Sequence, residues 1–179
     1  MTAPQQLADG VFFVGAIDWN RRLFDALIPL PDGTSYNAYV VKGTKHVALI
    51  DTVDPAMTDT LFGALNQLQV ESIDYIVANH AEQDHSGSLP MVLERFPQAK
   101  VVCSKKCKPM LQDLLRLPDE RIVTVDDGEQ LELGGKTLQF IYTPWVHWPE
   151  TMVTYLREDR ILFSCDFFGS HLATSRLFT

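Results

Sequence analysis

The chain has 179 residues, 46% of them hydrophobic, and carries 15 Lys and Arg against 23 Asp and Glu for a net charge of −8. That length and apolar content suit one domain with a sizeable core, and the acidic balance argues against nucleic acid, whose binders present a basic face. No apolar run reaches the roughly eighteen residues of a membrane span, and the start Met-Thr-Ala-Pro-Gln-Gln-Leu lacks the basic and apolar regions of a secretory leader.

In chain order, the N-terminal third reads as an antiparallel meander. A strand lies between Gly10 and Gly15, Phe24 to Leu30 is another candidate, and Pro31-Asp32-Gly33 is a turn. Residues 37–41 and 46–51 form a hairpin through Lys42-Gly43-Thr44-Lys45, with His46 an exposed hairpin histidine lacking acidic neighbours. Asp54 is a fitting N-cap for a helix with Pro55 at its first position and Met57, Leu61, Ala64, Leu65 and Leu68 on its apolar face.

The middle alternates strand and helix. Residues 73–78 form a buried strand ending at Asn79, and Ser86-Gly87-Ser88 offers turn and N-cap chemistry for a helix over 89–96. Residues 100–103 are a strand, and 106–115 a helix that turns Met110, Leu111, Leu114 and Leu115 inward before Pro118. Strands follow at 122–125, 131–133, 137–142, 152–156 and 161–164. Strands, then helices, then strands again predict packed sheets with helices outside. Cys103, Cys107 and Cys165 cannot all pair, which points to a reducing cytoplasm. Cys103 and Cys107, spaced CxxxC without a second pair, read as packed thiols.

The richest stretch is Asn79-His80-Ala81-Glu82-Gln83-Asp84-His85-Ser86-Gly87. Four metal-ligating side chains sit on one loop directly after a buried strand, where open sheets place their chemistry. In an extended loop His80, Glu82 and Asp84 would share a side, and His85 would point toward a second metal. His147 lies in the aromatic linker 143–150 and, taken alone, is more often a packed residue. Asp166 ends an apolar strand and precedes Phe167-Phe168, a setting in which a carboxylate must face a cation or strong donors. Together these six supply most of a two-metal site with Asp166 as bridge.

His80-x-Glu82-x-Asp84-His85, then His147, then Asp166, resembles the metal site of the metallo-β-lactamase superfamily, and more narrowly that of the flavodiiron proteins. The zinc hydrolases of that superfamily carry HxHxDH, and here Glu82 replaces the second histidine. The surroundings match too, in Asn79-His80 through Leu89-Pro90, in His147-Trp148-Pro149-Glu150 and in Asp166-x-Phe168-Gly169-Ser170-His171. The resemblance implies an α/β fold, a metallo-β-lactamase-like αβ/βα sandwich over residues 1–179. It implies one iron on His80, Glu82, His147 and Asp166, and a second on Asp84, His85 and the shared Asp166, with His85 the least secure ligand.

By the same resemblance the activity is reduction of dioxygen to water or of nitric oxide to nitrous oxide. Electrons come from FMN in a C-terminal flavodoxin-like domain, supplied by a rubredoxin- or flavin-reductase-like donor, in a head-to-tail homodimer. The chain stops at Thr179, before the family's last iron-2 histidine and closing strands, so it is expected to be the N-terminal portion of such a metal domain. His171 is expected to pack or support the site rather than ligate. Two other readings stay open: a zinc hydrolase, which Glu82 argues against, and a non-catalytic di-iron oxygen binder or sensor.

Overall fold

Strands alternate their side chains between two faces, and both faces of the main sheet here are apolar. The structure, a computed structural model, describes residues 3–176. Its strands are β1 (Gln5–Ala8), β2 (Val11–Phe13), β3 (Ala16–Asp18), β4 (Leu23–Phe24), β5 (Ile28–Pro29), β6 (Thr34–Tyr36), β7 (Tyr39–Lys42) and β8 (Val47–Ile50). After α1 (Thr58–Gln67) come β9 (Tyr75–Ala78), α2 (Gln83–Ser86), α3 (Leu89–Arg95), β10 (Lys100–Ser104), α4 (Cys107–Leu115) and β11 (Ile122–Val125). The chain continues through β12 (Gln130–Glu132), β13 (Thr137–Tyr142), β14 (Met152–Leu156) and β15 (Ile161–Phe163).

A seven-stranded sheet has the order β1-β2-β7-β8-β9-β10-β11, and a four-stranded sheet the order β12-β13-β14-β15. β8, β9, β10 and β11 are parallel neighbours, while β1, β2, β7 and β8 pair antiparallel. In β8, Leu49 faces the helices and Ala48 and Ile50 face the second sheet; in β9 the division is Ile76 and Ala78 against Val77. Leu61 and Leu65 of α1, Leu89 and Val92 of α3 and Leu111 of α4 fill the helical side. Leu138 and Phe140 of β13 with Met152 and Leu156 of β14 fill the other. Each such fully buried side chain contributes about 1.5–3 kcal/mol. Helices, large sheet and small sheet thus stack in the expected metallo-β-lactamase-like sandwich, with α1, α3 and α4 all on the outer face of the larger sheet.

The two sheets meet at Asn79, just past β9. Its backbone N–H and its side-chain Nδ2 donate to the two oxygens of Asp51, which follows β8, at 2.8 and 3.0 Å. Its Oδ1 accepts from Thr154 Oγ1 of β14 at 2.7 Å, and its carbonyl accepts from Met152 N at 3.0 Å. The loop that follows Asn79 therefore opens onto the seam between the sheets.

The structure corrects several local expectations. The 24–30 run is a hairpin, β4–β5, because Asp25 and Ala26 take left-handed φ of 48° and 54° and turn the chain within it. Leu114, in the last turn of α4, is 60% exposed and lines a cleft beside Pro55 and Trp148 instead of packing inward. Ser88 does not cap α3; its hydroxyl donates to Val53 O at 2.8 Å. His46 does have an acidic neighbour, Asp74 at 3.3 Å, brought up by β9 from the far side of α1. Asp54 and Pro55 start a helical segment as expected, but its first turn, Pro55–Met57, is a 3-10 turn leading into α1, with Asp54 Oδ1 accepting from Ala56 N at 2.9 Å.

Candidate metal centre

The segment after Asn79 is extended only as far as Glu82, which has φ −60° and ψ 149°. The chain then closes into α2, with His85 N and Ser86 N both donating to Glu82 O, at 3.0 and 2.9 Å. This turn separates the ligands. His80 and Glu82 stay on one side, and Asp84 moves across to join His85, so strict alternation along an extended loop is not what divides them. Thr52 fixes the turn from below, its N and Oγ1 both donating to His85 O at 2.7 and 2.6 Å. Gly87 closes it, because a Cβ there would lie 2.4 Å from Gln83 O and 2.6 Å from Pro55 Cδ.

Two groups of donor atoms share Asp166, His80–Glu82–His147–Asp166 and Asp84–His85–Asp166, and a third, Asp51–His85–Cys165, shares His85; in each the atoms lie within 4.8 Å of one another. In the first, Glu82 Oε2 lies 3.0 Å from His80 Nε2 and 3.4 Å from His147 Nε2. Asp166 presents Oδ2 to this group, 3.4 Å from His147 Nε2 and 4.0 Å from His80 Nε2. Its other oxygen, Oδ1, lies 3.0 Å from His85 Nε2 in the second group, where Asp84 Oδ2 is 3.4 Å from the same nitrogen. One carboxylate thus addresses both groups with different oxygens. Asp166 stands in the short helical turn Cys165–Phe168 directly after β15, and His147 in the loop before β14, so the small sheet supplies both.

The charges are arranged for cations. Burial opposes charge on His80, but the Glu150 and Glu82 carboxylates override it and raise the imidazole to about 9. Burial disfavours the Asp84 carboxylate and raises it to about 6, while Asp166, also penalised by burial, is held down at about 2 by His85 and the other imidazoles. Asp84 Oδ1 is buried without a hydrogen-bond partner. Buried carboxylate oxygens are expensive to leave bare. Imidazoles facing clustered carboxylates, with an orphaned oxygen among them, form a donor set that two divalent cations would satisfy.

All six residues singled out from sequence come together here. His171 belongs to neither group; its Nδ1 is 3.0 Å from Thr34 Oγ1 and its ring lies 4.7 Å from that of Phe24. It helps line a cleft of about 300 Å³ that also exposes Glu82, Asp84, His147 and Asp166. Cys103 and Cys107 are buried free thiols.

Three participants escaped the sequence reading. Glu150 Oε1 is 2.6 Å from His80 Nδ1, with both side chains fully buried, and also accepts from Ala81 N at 3.2 Å. Asp51, fully buried by Asn79, lies 4.0 Å from His85 Nδ1. Asp25, at the β4–β5 turn, sets its carboxyl against Glu82, and burial together with that neighbour raises it. Asp51 carried the same signal that marked Asp166, an acidic residue at the end of an apolar strand. Glu150 stood inside a recognised motif without a role, and Asp25 gave no signal, because its place depends on the hairpin.

The sequence and the fold are similar to those of known proteins. A family profile described as "ODP family beta lactamase" matches residues 34–179. The chain is 44% identical over 175 residues to a coenzyme F420H(2) oxidase of Methanothermobacter marburgensis, covering 95% of this chain and 43% of that one. It is 38% identical over 177 residues to a nitric oxide reductase of Moorella thermoacetica, covering 98% and 44%. The crystal structure of the flavodiiron protein from Giardia intestinalis superposes with a TM-score of 0.91 at 37% identity, over 98% of this chain and 43% of the other. The chain thus spans less than half the length of these relatives.

Proposed function

The chain belongs to the family described as ODP family beta lactamase, and from that premise we propose that residues 1–179 form the di-iron unit of a flavodiiron-type oxidoreductase acting on dioxygen or nitric oxide. The observation that carries the reading is the divided carboxylate of Asp166, with Oδ1 toward His85 and Oδ2 toward His147 and His80. His80, Glu82, His147 and Asp166 would hold one iron, and Asp84, His85 and Asp166 the other. Bound there, the iron pair would take up the diatomic and supply electrons for its reduction.

The protein's own contribution is placement and charge. Five carboxylates at or next to the centre, Asp51, Glu82, Asp84, Glu150 and Asp166, offset the repulsion of two cations at close range. Glu150 fixes the tautomer of His80, because an imidazole that donates through Nδ1 presents Nε2 to the metal. Glu82 supplies a hard oxygen where zinc hydrolases of the superfamily have a nitrogen, which suits a metal that visits ferrous and ferric states. Phe24 and Trp148 form part of the cleft wall beside the centre.

Relatives named oxidase, nitric oxide reductase and flavodiiron protein support the substrate class and an electron supply through flavin. We extend that supply to FMN, a rubredoxin- or flavin-reductase-like donor and a head-to-tail dimer. Among the described residues no helix is long and apolar enough to cross a membrane. Cys103, Cys107 and Cys165 are free, which suits a reducing compartment, and on that ground we propose the cytoplasm. The test is elemental analysis with the optical spectrum of the purified chain. About two irons per chain, with ferric absorption bleached by a reductant and restored by oxygen, is expected. Zinc alone, with no activity after ferrous loading, would turn the reading to the hydrolase.

A further inference from the structure

His147 has little of its own to hold it. It follows the exposed residues Trp145 and Val146, and among the described residues its backbone makes no hydrogen bond to another backbone group. Its Nε2 lies 3.4 Å from both Glu82 Oε2 and Asp166 Oδ2. Contacts that long attract the ring without fixing its plane.

The next residue is held far more firmly. Trp148 N donates to Thr151 Oγ1 at 3.1 Å, and Trp148 O accepts from Trp145 N at 3.0 Å and from Thr151 N at 3.5 Å. Thr151 is itself buried, directly before β14. From this fixed backbone the indole reaches both histidines of the first donor group. Its ring centre lies 4.9 Å from that of His80, at an interplanar angle of 80°, and 6.3 Å from that of His147, at 25°. The two imidazoles are 4.9 Å apart at 79°. Trp148 and His147 are thus near-parallel to each other and near-perpendicular to His80. Edge-to-face and offset-parallel contacts at about 4.5–7 Å are those that aromatic rings favour. His80 is already locked from behind by Glu150 at 2.6 Å, so the indole has one rigid neighbour and one loose one. It also lines both the metal cleft and the cavity beside Pro55 and Leu114.

We propose that Trp148 is a positioning residue for His147: its indole, fixed by Thr151 and braced against His80, holds the imidazole plane so that Nε2 faces Glu82 and Asp166. The inference rests on reading the first donor group as a metal site, and it gives the aromatic linker a part in that site. The inner histidine is set by a hydrogen bond and the outer one by a stacked ring.

The experiment titrates Co²⁺, followed by its visible bands, into a His85→Ala parent in which only the first donor group is complete. Adding Trp148→Leu should weaken cobalt binding about 10-fold, and Trp148→Phe should recover part of the loss. In a parent that also carries His147→Ala, Trp148→Leu should cost nothing further, because the indole acts through that imidazole. Parent-like affinity in Trp148→Leu overturns the proposal. So does an equal loss with and without His147, which would make Trp148 a general packing residue. A second measurement does not depend on how the leucine variant folds. Bound cobalt quenches a nearby indole, so the quenching of tryptophan fluorescence in the native chain should fall in Trp148→Phe. Undiminished quenching there places the indole away from the ion and also overturns the proposal. A native chain that takes up no cobalt removes the metal reading itself, and this inference with it.

Discussion

His80 and His147 face the same two carboxylates, yet the protein holds them differently. His80 is completely buried, follows a central strand of the large sheet and is clamped from behind by Glu150. His147 has a side chain 35% exposed, in a loop where the neighbouring Trp145 is left-handed at φ 64° and 75% exposed. The centre thus has a rigid inner wall and a lightly held outer one. Rigid elements keep ligands within the tolerance a metal demands, while a loop on the cleft side leaves room for a substrate to enter. Both properties are needed, and the two sheets divide them.

The largest effect should come from the group that both histidines share. Asp166→Ala removes an oxygen from each donor group, so metal content should fall from about two per chain to well below one, measured by elemental analysis. If only one metal were lost, Asp166 would serve a single site and the bridge would be wrong.

Next comes the clamp. Glu150→Ala leaves His80 buried without its partner, and the metal-free protein should lose about 1.5–3 kcal/mol in urea unfolding, the range for a hydrogen bond to a charged group. His147→Ala should change that stability by no more than about 0.5 kcal/mol, as surface substitutions do, while weakening metal uptake. Equal destabilisation by the two variants would erase the contrast between the walls.

The smallest effect sharpens the outer wall. Trp145→Gly relieves a left-handed residue and should raise stability by up to about 1 kcal/mol in the same assay. A marked loss instead would show that Trp145, despite its exposure, anchors the loop.

The inner wall was legible in the sequence because its cause is local. A β-branched run followed by His80, Glu82, Asp84 and His85 announces a buried strand opening onto ligands. Asp166 was legible for the same reason. What the sequence hid was pairing at long range. Glu150 meets His80 across 70 positions, and Asp51 meets Asn79 across 28, and neither distance follows from periodicity. The hairpin at Asp25 and Ala26 was hidden differently: Asp is enriched in the left-handed conformation but Ala is not, and nothing in the run from Phe24 to Leu30 announces two such residues in succession. The helical turn α2 was missed because alternation assumes an extended chain.

Asn79 has a mechanical consequence. The large sheet contributes His80, Glu82, Asp84 and His85, and the small sheet contributes His147 and Asp166, so a cation bound here spans two bodies that could otherwise slide. A sliding seam would make each ion gather its own cage, at an entropic penalty. With hydrogen bonds from Asn79 running to Asp51 on one side and to Thr154 and Met152 on the other, the spacing is gauged before any ion arrives. The asparagine works as a spacer block in a jig: the cage is cut to size by the backbone, and the ion has only to fit it.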